Sequence, residues 1–328
     1  MGKKEIGLRI IFMGTSIFAE TILETLVKNR FNVISVFTKP DAKAGRKNEL
    51  VQTPVKKYAQ ENNIKVYDPE KLDAQVAQEI KKMKPDMIIV AAYGKIIPKE
   101  ILDMPGFGCI NIHASLLPKF RGASPIQNAL MCGEKETGVS IILMDKGIDT
   151  GDILLQNKIT IKKDQNAQEL SADLARLGSE MLIKLMPLWI EKKAEKVLHV
   201  IIEPIKQDDT KATLCQLIER SDGKIIWEDE AVNIFNRFRA LYPWPGIYCY
   251  WEKDGSLVRI KLLKIGIIQK DPESKHKTGE VFEIGDKIGV QTMRGVITLD
   301  ELQIESGNPL KIKDFTNGYP NFIGSILR

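Results

Sequence analysis

Histidine is scarce in this chain, with three residues in 328. The position of each one therefore carries information. Cysteine is almost as rare. The four, Cys109, Cys132, Cys215 and Cys249, are widely spaced and form no C-x-x-C pair, so neither a zinc knuckle nor a thioredoxin motif fits. Four cysteines in a chain this long do not make a disulfide scaffold, and free thiols in a reducing compartment are expected. No apolar run reaches membrane-spanning length. The N-terminal run in MGKKEIGLRIIFMG is too short for a signal sequence, and Ile6 stands where myristoylation wants Ser or Thr. An Arg- and Ser-rich transit peptide is also missing, so a cytoplasmic location is expected. The dinucleotide fingerprint G-x-G-x-x-G does not follow the first strand, where the sequence reads only MGTS, and a nicotinamide enzyme is disfavoured. Repeats and low-complexity tracts are lacking too.

The composition that remains is that of an ordinary globular protein, 43% hydrophobic and 28% charged. The length allows two domains, at roughly one per 150 residues. The net charge is +5, which permits anionic partners without demanding them. From Asp208 onward there are 17 Lys/Arg and 18 Asp/Glu, so the whole positive surplus lies earlier.

The first half alternates strand and helix. LRIIFMG (8–14), NVISVFT (32–38), 86–92 and GCINIH (108–113) read as buried strands. SIFAETILETLVKNR (16–30) has helical apolar spacing, and TPVKKYAQENN (53–63) opens with a Thr cap and a Pro at the first helical position. GVSIILMD (138–145) and the stretch after it give two more strands, and 166–191 is a long amphipathic helix. This rhythm predicts an α/β fold, a doubly wound, mostly parallel sheet with ligands at the carboxyl ends of its strands. The segment 39–50 reads as a long basic loop. After Asp208 short alternating strands (247–252, 258–266, 287–292, 295–304) and one helix near 230–240 predict a small β-barrel or sandwich. The expected division is 1–191, a linker 192–207, and 208–328.

Asn111 and His113 alternate at the end of a predicted strand and so share a face. A carboxamide can donate to a developing oxyanion, and an imidazole can carry a proton at neutral pH. A carboxylate beside the ring would favour its charged form. Asp145, Asp149 and Asp152, just beyond the next strand, are all candidates. Spacing does not choose among them.

The run AAYGKIIP…GCINIHASLLPKFRGASPIQNAL…ETGVSIILMDKGIDTGDIL closely resembles the folate-dependent formyltransferases. IIFMGTSIFA (10–19), FTKPDAKAGR (37–46), PVKKYA (54–59), LYPWPG (241–246) and DGKIIW (222–227) extend the resemblance into both halves. It implies a Rossmann-like formyltransferase domain followed by an OB-like barrel. It implies transfer of formyl from 10-formyltetrahydrofolate to an amine, with Asn111, His113 and Asp149 as catalytic residues. Ser115, Leu116, Leu117 and Pro118 would contact the folate. The longer frame implies that the acceptor is methionine carried on initiator tRNA. The loop carrying Lys43, Arg46 and Lys47 would then touch the tRNA acceptor arm, with Arg46 the most consequential. The second domain is the other expected RNA contact. Neither a metal nor a membrane is expected, and the chain is expected to act as a monomer.

The chain departs from the family at Gly14-Thr15-Ser16-Ile17, where the family usually has G-T-P-acidic, and at Leu214, Arg220 and Ile226, where it often has Tyr, Lys and an acid. Arg121 reads equally as a turn stabiliser or an anion binder, Tyr93 as pocket wall, and Trp244 as a packed anchor. Two other functions fit the same residues less well: formylation of a small amine, such as glycinamide ribonucleotide or an amino sugar, and non-catalytic RNA binding.

Overall fold

In the computed structural model the described residues are 6–44, 49–193, 202–270 and 276–328. The chain divides into two compact units. One comprises 1–125, 136–161 and 170–216, the other 126–135, 162–169 and 217–328. Residues 208–216, placed by sequence on the second-domain side of the boundary, thus belong by contact to the first unit.

The strands of the first unit are β1 (Ile6–Gly14), β2 (Phe31–Phe37), β3 (Ala42–Ala44), β4 (Glu49–Val51), β5 (Lys65–Tyr67), β6 (Met87–Ala91), β7 (Cys109–His113), β8 (Arg121–Gly122), β9 (Glu136–Leu143) and β10 (Asp152–Thr160). Its helices are α1 (Ile17–Lys28), α2 (Pro54–Glu61), α3 (Ala74–Met83) and α4 (Lys99–Leu102); α5 (Pro125–Met131) falls almost wholly in the second unit, and most of α6 (Ala167–Lys193) in the first. Seven strands make one sheet in the order β10-β9-β7-β6-β1-β2-β5. β7, β6, β1, β2 and β5 are parallel, and β9 and β10 add an antiparallel edge. From β1 the chain runs outward to β2 and β5, then returns to β6 on the opposite side of β1. The crevice outside the carboxyl ends of β1 and β6 is therefore the switch point of the sheet.

The central strands are buried on both faces, as their unbroken apolar sequences require. Ile11 and Met13 join Ala77 and Ile80 of α3 and Ile101 and Leu102 of α4 in one core. On the other face α1 lies close: a Cβ on Gly14 would stand 2.6 Å from that of Ala19 and 2.7 Å from Phe12. α6 covers the same face further along. There Gly178 brings the helix so near the sheet that an added Cβ would meet Ile112 at 2.8 Å and Val139 at 3.4 Å. A mid-helix glycine is intrinsically unfavourable by about 1 kcal/mol, and its value here is this close approach to β7.

The basic segment 39–50, expected as an open loop, instead contains the antiparallel pair β3–β4. Lys56 of α2 anchors its start, bridging Asp41 at 2.9 Å and Asp68 at 2.8 Å.

The last strand of the first unit is β11 (Leu214–Cys215), parallel to β8. Beyond it, the second unit holds α7 (Ala231–Ala240), strands β12 (Ile247–Lys253), β13 (Ser256–Ile268), β14 (Val281–Ile284), β15 (Lys287–Gln291), β16 (Val296–Ile304) and β17 (Leu310–Lys311), and α8 (Ile312–Gly318). The sheet is antiparallel, ordered β12-β13-β16-β15-β14. The C-terminal tail closes it. Tyr250 of β12 exchanges hydrogen bonds with Arg328 (2.7 and 2.8 Å), while Val281 of β14 exchanges them with Gly324 and Ser325 (2.7 and 2.9 Å). Both edges are thus paired, and the unit is a small barrel as predicted. Inside, Trp251 packs against Phe315, Tyr319 and Phe322. Trp244, expected to be packed, is 53% exposed. Among the described residues no helix is long and apolar enough to cross a membrane.

Replacing Gly178 with Val should push α6 off β7 and cost about 1–3 kcal/mol of stability. A lowered midpoint in urea unfolding, with an unchanged slope, is the expected measurement.

Candidate active site

Three consecutive alternate residues of β7, Cys109, Asn111 and His113, share one face, and Cys109 sits in the α3–α4 core. Asn111 and His113 continue that face to the strand end, where both are buried. Register fixes their height: Asn111 lies opposite Val90 of β6 and Ile142 of β9, and His113 opposite Ser140.

Asp149 arrives from the loop between β9 and β10, its backbone left-handed at φ 53°. Its Oδ1 accepts a hydrogen bond from Asn111 Nδ2 at 3.1 Å. Its Oδ2 lies 3.4 Å from His113 Nδ1 and accepts from the backbone N–H of Gly122 at 2.9 Å. The carboxamide, imidazole and carboxylate therefore meet, although 38 residues separate Asn111 from Asp149. His113 Nε2 lies 2.9 Å from the Phe120 carbonyl. A carbonyl only accepts, so Nε2 carries the hydrogen. Both ring nitrogens thus face oxygen atoms, which fixes the plane of the imidazole.

The other two aspartates have different work. Asp145 Oδ1 accepts from the Gly147 N–H at 3.0 Å and from the Thr150 hydroxyl at 2.6 Å, closing the turn. Asp152 opens β10 opposite Leu143. Geometry thus selects Asp149, which spacing could not.

Residues Ser115–Pro118 follow His113 after one residue, Ala114. Ser115 and Leu117 are buried, Leu116 and Pro118 half-buried. Ser115 Oγ donates to the Lys119 carbonyl at 2.6 Å. Ser140 Oγ donates to the Ser115 carbonyl at 2.7 Å and accepts from the Leu117 N–H at 3.0 Å. Gln156 Nε2 donates to the Leu117 carbonyl at 3.0 Å and to Ser140 Oγ at 2.8 Å. Two side chains from the antiparallel edge thereby hold the whole segment in shape. At the switch point the Thr15 hydroxyl donates to the Tyr93 carbonyl at 2.9 Å, tying the two rim loops together. The Tyr93 ring belongs to the core, as expected of a wall residue, and burial pushes its phenol up to about 12.

Arg121 is buried and occupied by the chain's own acceptors. Nε and Nη2 donate to Gln207 Oε1 at 3.0 and 2.8 Å, and Nη2 donates to Asp209 at 2.7 Å. Gly122 adopts φ +113°, and a Cβ there would collide with the Cys215 carbonyl of β11. Of the basic residues singled out in the 39–50 segment, Lys43 is exposed on β3. Arg46 and Lys47 lie outside the described residues.

Ser140, Gln156, Gln207 and Thr213 are the site residues that sequence reasoning missed. Gln207 and Thr213 flank the polar D-D-T-K-A stretch just before Leu214, and no local pattern marks either as a site residue. The polar set comprises donors and a carboxylate. Cys215 lies nearby, its Sγ 3.2 Å from the Arg121 carbonyl and 3.5 Å from that of Phe120. Burial pushes its thiol up, which suppresses the thiolate that covalent catalysis would need. The arrangement is suited to polarising a carbonyl and moving protons. Among the described residues no group of three or more His, Cys, Asp or Glu is placed to hold a metal ion.

The formyl transferase family matches residues 8–186, and the formyl transferase C-terminal domain matches 217–320. The methionyl-tRNA formyltransferase of Caldicellulosiruptor saccharolyticus is 42% identical over 322 residues, spanning 97% of this chain and 99% of the relative. That of Carboxydothermus hydrogenoformans is 41% identical over 319 residues, spanning 97% and 98%. Among solved structures, an N-formyltransferase from Helicobacter canadensis in complex with folinic acid and dTDP-3-aminofucose superposes with a TM-score of 0.63. It is 20% identical and covers 89% of this chain and 98% of its own, a likeness of fold.

Burial raises the thiols of Cys215, Cys249 and Cys109, the last to about 12, while Cys132 is exposed. At pH 8 the raised thiols stay protonated, so an alkylating reagent should label Cys132 alone in the native protein, as read by peptide mass spectrometry. Rapid labelling of Cys215 would contradict the burial argument.

Proposed function

The chain belongs to the formyl transferase family, and we propose that it transfers the formyl group of 10-formyltetrahydrofolate to the α-amine of methionine on initiator tRNA. The convergence of Asn111, His113 and Asp149 carries this reading, together with full-length similarity to proteins named for that reaction. A nucleophilic cysteine or serine would be needed if the protein itself carried the carbon unit. The donors and carboxylate present instead fit a folate that arrives already formylated.

The amine nitrogen attacks the formyl carbon, the carbonyl oxygen gains negative charge, and the bond from that carbon to N10 then breaks. Asn111 gives one amide hydrogen to Asp149 and offers its second to the developing oxyanion. His113 donates from Nε2 to the same oxygen, sharing the hydrogen that it gives to the Phe120 carbonyl. Asp149 orients both groups, and it passes the proton released by the amine towards N10, so that tetrahydrofolate leaves neutral at that atom. Ser115 and Leu117 set the backbone against which the half-buried Leu116 and Pro118 offer an apolar edge to the pterin. Lys43, Arg46 and Lys47 contact the acceptor arm of the tRNA, and the barrel of the second unit holds its body. Translation in the cytoplasm is the setting such a substrate implies.

Formyl transfer should be detected with charged initiator tRNA and not with glycinamide ribonucleotide or an amino sugar. The reverse preference would sink the reading. Asn111→Ala and His113→Ala should each lower kcat by about 10²–10³-fold, the usual effect of losing an oxyanion donor. Arg46→Ala should raise KM for the tRNA and leave folate binding alone. A loss of folate affinity instead would show the segment to be misassigned.

A further inference from the structure

Gln207 lies 58 residues from Asp149 in sequence and forms no hydrogen bond to a side chain of the Asn111, His113 and Asp149 trio, yet its amide is satisfied at both ends. Nε2 donates to the Asp149 carbonyl at 2.8 Å and to the Gly151 carbonyl at 2.7 Å. Oε1 accepts from Arg121 Nε and Nη2 at 3.0 and 2.8 Å. Arg121 adjoins Gly122, whose N–H binds the carboxylate of the same Asp149. One amide therefore joins the strand that receives the Asp149 carboxylate to the loop that carries the Asp149 backbone. That backbone sits at φ 53°, a left-handed conformation uncommon for residues other than glycine.

We propose that Gln207 is a positioning residue for Asp149, holding its backbone left-handed so that the carboxylate reaches Asn111 and His113. This rests on the role given to Asp149 above. The amide is required in both halves. The oxygen end fixes Gln207 to the buried Arg121, and the nitrogen end, with two hydrogens, fits two carbonyls that a carboxylate would repel.

The distinguishing variant is Gln207→Glu. It keeps the oxygen that Arg121 binds and gains an ion pair, so the fold is retained, but it cannot donate to either carbonyl. Gln207→Met, with similar length and no polar end, serves as the second variant should the first fail to fold. Two readouts apply. Amide hydrogen exchange at Gly122 reports whether Asp149 Oδ2 is in place, and it requires no substrate. It should quicken in Gln207→Glu while exchange within β7 and the thermal midpoint stay as in the wild type. In the formyl-transfer assay kcat should fall on the order of 10²-fold, as expected from a misplaced catalytic group, with KM for the folate unchanged. Gln207→Glu added to Asp149→Asn should cause no further loss, because both act on one group. Wild-type Gly122 protection in both variants, or multiplicative losses in the double variant, would overturn the proposal. Absence of formyl transfer in the wild type would instead defeat the function, and Gly122 exchange would still decide the role of Gln207.

Discussion

The carboxylate of Asp149 is the hub on which the site depends. Its two oxygens receive a carboxamide hydrogen and the edge of an imidazole from β7, and a backbone hydrogen from Gly122. Asp149 is half-buried, and without partners its carboxylate would be free to turn about its side-chain bonds. With them it is a fixed negative point that orients every other polar group around it. The rest of the first unit can be understood as the apparatus that places β7, the 145–151 loop and the 119–122 turn around this point.

The placement works because each element is held from outside the site. β7 is pressed from one face by α6, where a glycine lets the helix sit against Ile112, the residue between Asn111 and His113. The Ser115–Pro118 segment is shaped by Ser140 and Gln156 on the antiparallel edge of the sheet. The 205–215 stretch returns across the unit. Ile205 exchanges backbone hydrogen bonds with Ile153, Gln207 takes the Asp149 loop, the Thr213 hydroxyl accepts the Phe120 N–H at 2.8 Å, and β11 pairs with β8.

Much of this was legible in the sequence where the signal is local. Continuous apolar runs located the central strands, because strands buried on both faces leave no room for polar residues. The alternation N-x-H put two functional groups on one face at a strand end. Other features could not be read because they are properties of contact. Three aspartates within eight residues look equivalent until the turn folds and Asp145 is consumed by Gly147 and Thr150. β3, β4 and β5 have three residues each, too few for periodicity to register. The closing of the barrel by residues 324–328 depends on two distant strand edges needing partners, and nothing within the tail announces it. The change in composition near Asp208 suggested a boundary. The contacts of 208–216 nevertheless run to the first unit, because a short polar segment can follow hydrogen-bonding partners without having any core of its own.

Phe120 and Asp149 face each other across the imidazole, and both are non-glycine residues in left-handed conformations, at φ 60° and 53°. Such conformations cost about 1–3 kcal/mol each and persist only where surrounding bonds over-determine them. At Phe120 the N–H is held by Thr213, and the carbonyl faces His113 Nε2 and Cys215 Sγ. At Asp149 the carbonyl is held by Gln207 and the carboxylate by Asn111 and Gly122. Relaxing either backbone would turn its oxygen away from the ring. The strain and the hydrogen bonds that oppose it are therefore two sides of one arrangement. An imidazole near the middle of a sheet rim is held between two oxygens because the chain on each side is locked into a conformation it would not adopt alone.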